Sequence, residues 1–232
     1  MRGPRLRVGV LADEDDEVDL GLLLSSVGHE VSWLNSSDEA RDFELVVLSV
    51  QDEELPDLIE ELAPGARRGQ MFLHTSIGHG VQLFDPLETS GALVLAAHPL
   101  NDKLWAIGAA DELGETVVEL LVGELGGQAL LINETQRARL AAAMTYTSFL
   151  ETVRMDAFTL LSEVLGNEDH ALAISGELSH GRALPSVGGV MREQRSIPDP
   201  GRSRAYRELA RRTAELQGLQ DIELWAIQEE KS

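Results

Sequence analysis

Five carboxylates crowd into the six residues Ala12–Glu17, ADEDDE, directly after the apolar run VGVL at Val8–Leu11. A turn between a strand and a helix commonly grips phosphate through backbone amides, with glycines that let the ligand approach. Carboxylates at that place do the reverse. One like-charge contact costs roughly 4 kcal/mol at about 4 Å and an effective dielectric of ~20, and a fraction of that is about tenfold in affinity. The acids could instead collect a divalent cation or an amine, together with the imidazoles of His74, His79 or His98. A plainer use is to cap the first helix, where each negative charge is favourable by about 0.3–1 kcal/mol.

The other polar groups that could do chemistry fall at the ends of apolar runs. Asn35-Ser36-Ser37 closes the second strand, where an NAD enzyme would place an acid for the ribose 2′-hydroxyl; an uncharged run leans toward NADP. Val50 ends the run ELVVLSV and Gln51 and Asp52 follow it; His74 ends MFLH, and Thr75, Ser76 and His79 follow. His98 precedes Pro99 at the end of another strand. His74-x-x-x-x-His79 is not a metal-ligand spacing, so no metal set is assigned. Thr75-Ser76 lacks the G-x-S-x-G surroundings of a nucleophilic serine. His29 reads as a solvent-facing spacer, and His170 and His180 as surface residues. The arginines 202, 204, 207, 211 and 212 form a basic helix, either a solvated face or a partner for the acidic turn of a neighbouring subunit.

Positioning these groups requires a sheet. Leu6–Leu11, Glu30–Leu34, Glu44–Val50, Met71–Thr75, Leu93–Ala97, Trp105–Ile107 and Ala129–Ile132 read as strands; Val18–Val27, Glu54–Ala63 and Glu112–Leu125 read as helices. ELVVLSV is near-continuously apolar, as in a strand buried on both faces. This alternation predicts an α/β fold with a doubly wound, mostly parallel sheet over residues 1–132. From Asn133 onward the pattern is helical: one long helix or two end to end as far as Gly166, and a further one near Asp169–Leu178. Gly181–Arg202 is rich in Gly and Pro and reads as a loop. Ser203 is then expected to cap a helix that turns Tyr206, Leu209, Ala210, Thr213 and Leu216 inward. The second domain is therefore all-α, over residues 133–232.

Composition excludes whole classes of function. The net charge is −21, which opposes nucleic acid and anionic membrane surfaces. Cysteine is absent, so disulfides and thiolate chemistry are excluded. No apolar stretch approaches a membrane span, and MRGPRLRVGV lacks the apolar region of a secretory signal. The expected location is cytoplasmic.

These pieces, taken in order, carry a likeness: VGV and GHEV within Val8–Val31, LSVQDEEL at Leu48–Leu55, HTSIGHG at His74–Gly80, AAHPL at Ala96–Leu100, RARLAAAMTYTSFL at Arg137–Leu150 and YRELARRTAEL at Tyr206–Leu216. The chain resembles the 6-phosphogluconate dehydrogenase-like superfamily, within it the Rossmann-like proteins whose C-terminal helical domain has no assigned function. The resemblance implies an oxidoreductase using NADP or NAD on a small hydroxy or oxo acid, and a homodimer formed through the helical domain; Ala141–Ala143, Phe149 and Leu150 suggest close helix packing there. Cofactor contacts would come from Ala12, Asp13, Glu14, Asn35, Ser36, Ser37, Val50, Gln51, Asp52, His74 and Thr75, and catalytic groups from Ser76, His98 and Ser148. The departures fall on the functional positions. The glycines of G-x-G-x-x-G align with Ala12, Glu14 and Glu17, and the His and Asn of the family's long helix with Leu140 and Ser148. Leu140 can move no proton, and Ser148 lacks the two-sided bonding of an amide. Two readings follow: an oxidoreductase whose usual cofactor turn is lost, or a non-catalytic Rossmann-fold binding or regulatory protein, with a small molecule, cation or amine as its ligand.

Overall fold

The computed structural model describes residues 5–13, 19–178 and 183–228. The chain forms two compact units, Met1–Arg137 and Ala138–Ser232. In the first, a seven-stranded sheet has the order β2-β1-β3-β4-β5-β6-β7, with β1 Arg7–Ala12, β2 Glu30–Trp33, β3 Leu45–Ser49, β4 Met71–His74, β5 Leu93–Pro99, β6 Leu104–Ala109 and β7 Gln128–Leu131. Neighbours from β2 through β5 are parallel. β6 returns antiparallel to β5, and β7 runs parallel to β6. The reversal is made by a tight turn in which Asn101 Oδ1 accepts from the amides of Lys103 and Leu104, each at 2.9 Å.

Both faces of this sheet are covered, which explains the uninterrupted apolar character of β3. Leu45 and Val47 join a core with Val8, Val10, Leu73, Leu95 and Ile107 beneath helices α1 (Leu20–Val27) and α4 (Glu112–Glu124). Val46 and Leu48 join Phe72, Phe84, Val94 and Ala96 on the opposite face, beneath α2 (Leu55–Leu62) and α3 (Asp85–Glu88). Helix α1 lies close on the sheet at Gly21, where a Cβ would stand 3.1 Å from Val10 Cγ2. It ends at Gly28, whose φ of 102° only glycine adopts readily. The next residue departs from expectation. His29 is buried, its Nδ1 accepting from Leu6 N at 3.2 Å and its Nε2 lying 3.0 Å from Glu124 Oε2. An imidazole between two polar partners fixes the start of β2 to α4, a role that sequence spacing alone does not show.

The second unit comprises most of α5 (Glu134–Leu165) and α6 (Glu168–Ser175), α7 (Val187–Ser196), α8 (Pro200–Gln217) and α9 (Gln220–Ile227). Its core joins Phe149, Leu184, Val190, Tyr206, Ala210, Ala214 and Ile222. Phe149 and Tyr206 meet edge-on at 5.3 Å between ring centroids. The Tyr206 hydroxyl donates to Glu193 Oε2 at 2.6 Å, and burial beside that carboxylate pushes the phenol above its ordinary pKa.

Several helical expectations need correction here. Helix α7 occupies much of the stretch read as a loop. Ser186 caps it by accepting from Gly189 N at 3.1 Å, and Gly189 is required because a Cβ would meet Pro185 at 2.8 Å. Val190, buried in the core of this unit, offsets the helix's poor propensity, and buried Glu193 is satisfied by the Tyr206 hydroxyl. Helix α8 begins at Pro200, with Asp199 rather than Ser203 as its cap. Leu216 is 47% exposed, and Ala143 and Leu150 also face solvent, so the buried positions are Tyr206, Ala210, Thr213, Ala214, Ala141, Ala142 and Phe149. The basic helix is not simply solvated. Arg207 lies over the Trp225 ring at 5.2 Å and donates to carbonyls at the end of α9, while Arg212 Nε donates to Asp156 Oδ2 at 2.9 Å. His170 is exposed, as expected, and His180 lies outside the described residues. Among the described residues no helix is long and apolar enough to cross a membrane.

Candidate functional site at the carboxyl edge of the sheet

Strand order reverses at β1, with β2 on one side and β3 on the other. In open α/β sheets the crevice beyond such a switch point, at the carboxyl ends of the strands, is where ligands bind. Asp13, the first residue beyond β1, lies there. Its amide donates to Ser49 O at 3.1 Å, and its carboxylate accepts from Gln51 N at 2.8 Å. The amide that leaves β3 is thus bonded to an internal carboxylate.

The start of α1 is treated in the same way. Asp19 caps it from the left-handed region, at φ 36° and ψ 50°, and its Oδ1 accepts from Leu22 N at 3.0 Å. Leu22 N, in the first turn of α1, is thus held by Asp19, and Gln51 N, beyond the neighbouring strand β3, by Asp13. Helix α1 starts two residues later than the sequence pattern suggested, because Asp19 caps it. Glu14 and the rest of the acidic run through Val18 lie outside the described residues.

Beyond β3, β4 and β5 a buried polar chain follows. Ser49 Oγ and Thr75 Oγ1 share a hydrogen bond of 2.7 Å, and His98 Nδ1 donates to Thr75 O at 2.7 Å. That bond fixes the His98 tautomer, placing its proton on Nδ1 when neutral. Ser76 Oγ accepts from His79 N at 3.3 Å, and His79 Nε2 lies 3.6 Å from Asp52 Oδ2. His74 is fully buried. Its Nε2 donates to Gly80 O at 3.1 Å, and burial, helped by the Arg137 charge, pushes its pKa down to about 3.

The remaining candidates disperse. Asn35 and Ser36 are exposed beyond the edge strand β2, and Ser37 Oγ donates to Glu61 Oε2 at 3.2 Å. Ala12 is exposed at the end of β1, and Val50 is half-buried after β3. Ser148 belongs to the second unit, where its hydroxyl donates to Thr145 O at 2.7 Å within α5. Among the described residues no three His, Asp or Glu side chains gather as a metal site.

Sequence reading missed Arg137, the most buried charge described, at 1% exposure. Its signal is positional. Arg137, Ala141, Thr145 and Phe149 recur at the four-residue spacing of one helix face, and all four are buried.

A dinucleotide is the cofactor that this architecture implies. Phosphate oxygens need amide donors and no competing anions; beside the first turn Asp13 and Asp19 place two carboxylates, each accepting from one amide.

The comparisons agree with the architecture. Residues 29–99 match a Rossmann-like domain, and residues 133–229 match the 6-phosphogluconate dehydrogenase C-terminal domain-like family. No curated protein matches the chain by sequence. Among solved structures, UDP-D-ManNAc dehydrogenase of Pyrococcus horikoshii superposes with a TM-score of 0.64 at 13% identity, covering 92% of this chain and 70% of that one. Pyrroline carboxylate reductase of Plasmodium falciparum, solved with NADP bound, gives 0.54 at 9% identity, over 84% and 81%. The 3-hydroxyisobutyrate dehydrogenase of Mycobacterium tuberculosis, solved with L-serine, gives 0.55 at 14% identity, over 93% and 88%. At such identities the likeness is one of fold. A Rossmann-like domain is thus followed, in that order, by a region that matches the 6-phosphogluconate dehydrogenase C-terminal domain-like family.

Proposed function

We propose that this chain is a small-molecule-binding relative of the NAD(P)-dependent oxidoreductases, one that does not hold a dinucleotide through its first turn. The observation that carries this reading is the pair of carboxylates beside the first turn, Asp13 on Gln51 N and Asp19 on Leu22 N, where phosphate oxygens need amide donors and no competing anions. The rest of the turn, Glu14 to Glu17, adds only negative charge. Hydride transfer to or from a small hydroxy or oxo acid then requires a cofactor seated elsewhere on the carboxyl edge. The intact Ser49–Thr75–His98 chain favours that second reading, because it keeps a buried imidazole in a fixed tautomer. The protein acts in the cytoplasm under either reading.

The test is to remove the carboxylates. The combined variant Asp13→Ser, Glu14→Gly, Glu17→Gly is expected to bind NADPH about a hundredfold or more tighter than the parent, at about tenfold per carboxylate and some loss to solvent screening. Fluorescence titration measures it. Unchanged affinity in the folded variant counts against the carboxylates as the cause.

The chain also acts as a homodimer through the second unit. Leu150, Val153, Ala157, Leu160 and Val164 form an exposed stripe along α5, with Val164 at 82% exposure. An apolar stripe this long is expected to be covered, and a second copy meets it with the same surface. Light scattering is expected to show a dimer for the parent and a monomer for Leu160→Glu with Val164→Glu. A monomeric parent at all accessible concentrations removes this part.

A further inference from the structure

Helix α1 is a surface helix without a charge. Its residues, LGLLLSSV, bury Leu20, Gly21 and Leu24 against the sheet and turn Leu22, Leu23, Ser25 and Ser26 outward, with Leu22 56% exposed. A surface helix ordinarily carries charged or strongly polar groups on that side.

Helix α4, on the same face of the sheet, repeats the anomaly along one flank. Leu113, Val117 and Leu120 recur at i, i+4 and i+7, the spacing of a single helix stripe, while Gly114, Val118, Leu121 and Val122 are buried. Leu113 is 59% and Leu120 65% exposed, and Val117 is half-buried. The direction of this flank follows from its next member, Glu124, whose Oε2 lies 3.0 Å from His29 Nε2, just beyond the end of α1. The leucines therefore look toward α1. On α1, Gly21 faces the edge strand β2, since a Cβ there would stand 3.3 Å from Trp33 Cζ2. Leu23, two residues on and about half a turn around, points the other way, toward α4. The two helices share one exposed apolar face, joined at one end by His29 and Glu124.

Charge says what covers it. Neither helix contains a Lys or Arg; α4 carries Glu112, Glu115 and Glu119, and the two N-caps are Asp19 and Asp111. A second copy laid on the same face would set these carboxylates against their own kind. An apolar stripe at helical spacing receives a helix, and an acidic rim receives a basic one.

We propose that the α1–α4 face is a docking site for a cationic amphipathic helix of a partner protein, its apolar stripe on Leu23, Leu113 and Leu120 and its Lys or Arg side chains against Asp19, Glu112 and Glu119. Burial and sign select the same partner, because an apolar helix without cations leaves the rim unpaired and a cationic strand without a stripe leaves the leucines in water. The assignment involves neither a dinucleotide nor the helical unit.

The experiment uses a fluorescent peptide of about 18 residues, Leu and Lys in helical period, against a scrambled peptide of the same composition that has the charge but no stripe. Anisotropy titration of the full chain is expected to show saturable binding of the ordered peptide, at least about tenfold tighter than the scramble. Leu113→Ser with Leu120→Ser, both at exposed positions, is expected to weaken the ordered peptide about tenfold or more and to leave the scramble unchanged. Glu112→Gln with Glu119→Gln is expected to weaken it about threefold at about 20 mM salt and to flatten its salt dependence. Equal affinity for the two peptides, or unchanged affinity in the leucine variant, overturns the site. Self-association of the parent that the leucine variant abolishes gives the face to a second copy and overturns the proposed partner.

Discussion

Acidification from pH 6.5 to pH 4 is expected to remove about 3 kcal/mol of folding stability through His74 alone, at about 1.4 kcal/mol per pH unit. The sign follows from the two states. The folded imidazole has its pKa depressed to about 3, first by burial and then by the Arg137 charge, against an ordinary value of 6.5. Between those values the unfolded chain binds a proton that the folded chain refuses, so stability rises with pH across the window and is level above it. His74→Gln keeps a donor that can reach Gly80 O but does not titrate. It is expected to be less stable than the parent at pH 7, through the lost edge contact with Phe84, and to close that gap as pH falls toward 4. Urea unfolding of both proteins at four pH values measures the difference directly. Parallel curves for parent and variant contradict the assignment of His74 as a buried neutral ring.

Removing the Tyr206 side chain is expected to cost about 3–5 kcal/mol, the scale for emptying a large aromatic site in a packed core. Tyr206 is fully buried in the second unit, with Phe149 at 5.3 Å, Tyr146 at 6.0 Å and Glu193 on its hydroxyl. The ring and the hydroxyl separate cleanly. Tyr206→Phe keeps the ring contacts and takes away one donor from a buried carboxylate, at about 1–3 kcal/mol, while Tyr206→Ala loses both. Calorimetric unfolding of the two variants gives the split. A loss below about 1 kcal/mol for Tyr206→Ala contradicts the assignment of this ring as the centre of the helical core.

Much of the frame is legible from pattern alone. β3 shows both of its buried faces in an unbroken apolar run, and α5 shows its length in one helical pattern that Gly166 stops. What stayed hidden depends on partners distant in sequence. Helix α7 lies under residues that punctuate chains, and it forms because Ser186 caps it and Val190 finds a core. His29 reads as a spacer until Leu6 and Glu124 arrive on either side of its ring. The acidic turn is plain as charge, yet nothing in the string ADEDDE says that Asp13 reaches the amide of Gln51. Arg137 is the instructive case. An arginine on a helix normally reads as solvated, and only its register with Ala141, Thr145 and Phe149 places it inside.

The central claim is that the first turn repels the ligand its fold is built to hold. It is tested most directly by calorimetric titration of the unaltered protein with NADPH and NADH, at about 20 mM and about 150 mM salt. The expected result is no saturable binding below the millimolar range, and weaker interaction at the lower salt, where repulsion is least screened. Binding of either dinucleotide with a Kd below about 10 μM contradicts the claim and restores an ordinary oxidoreductase.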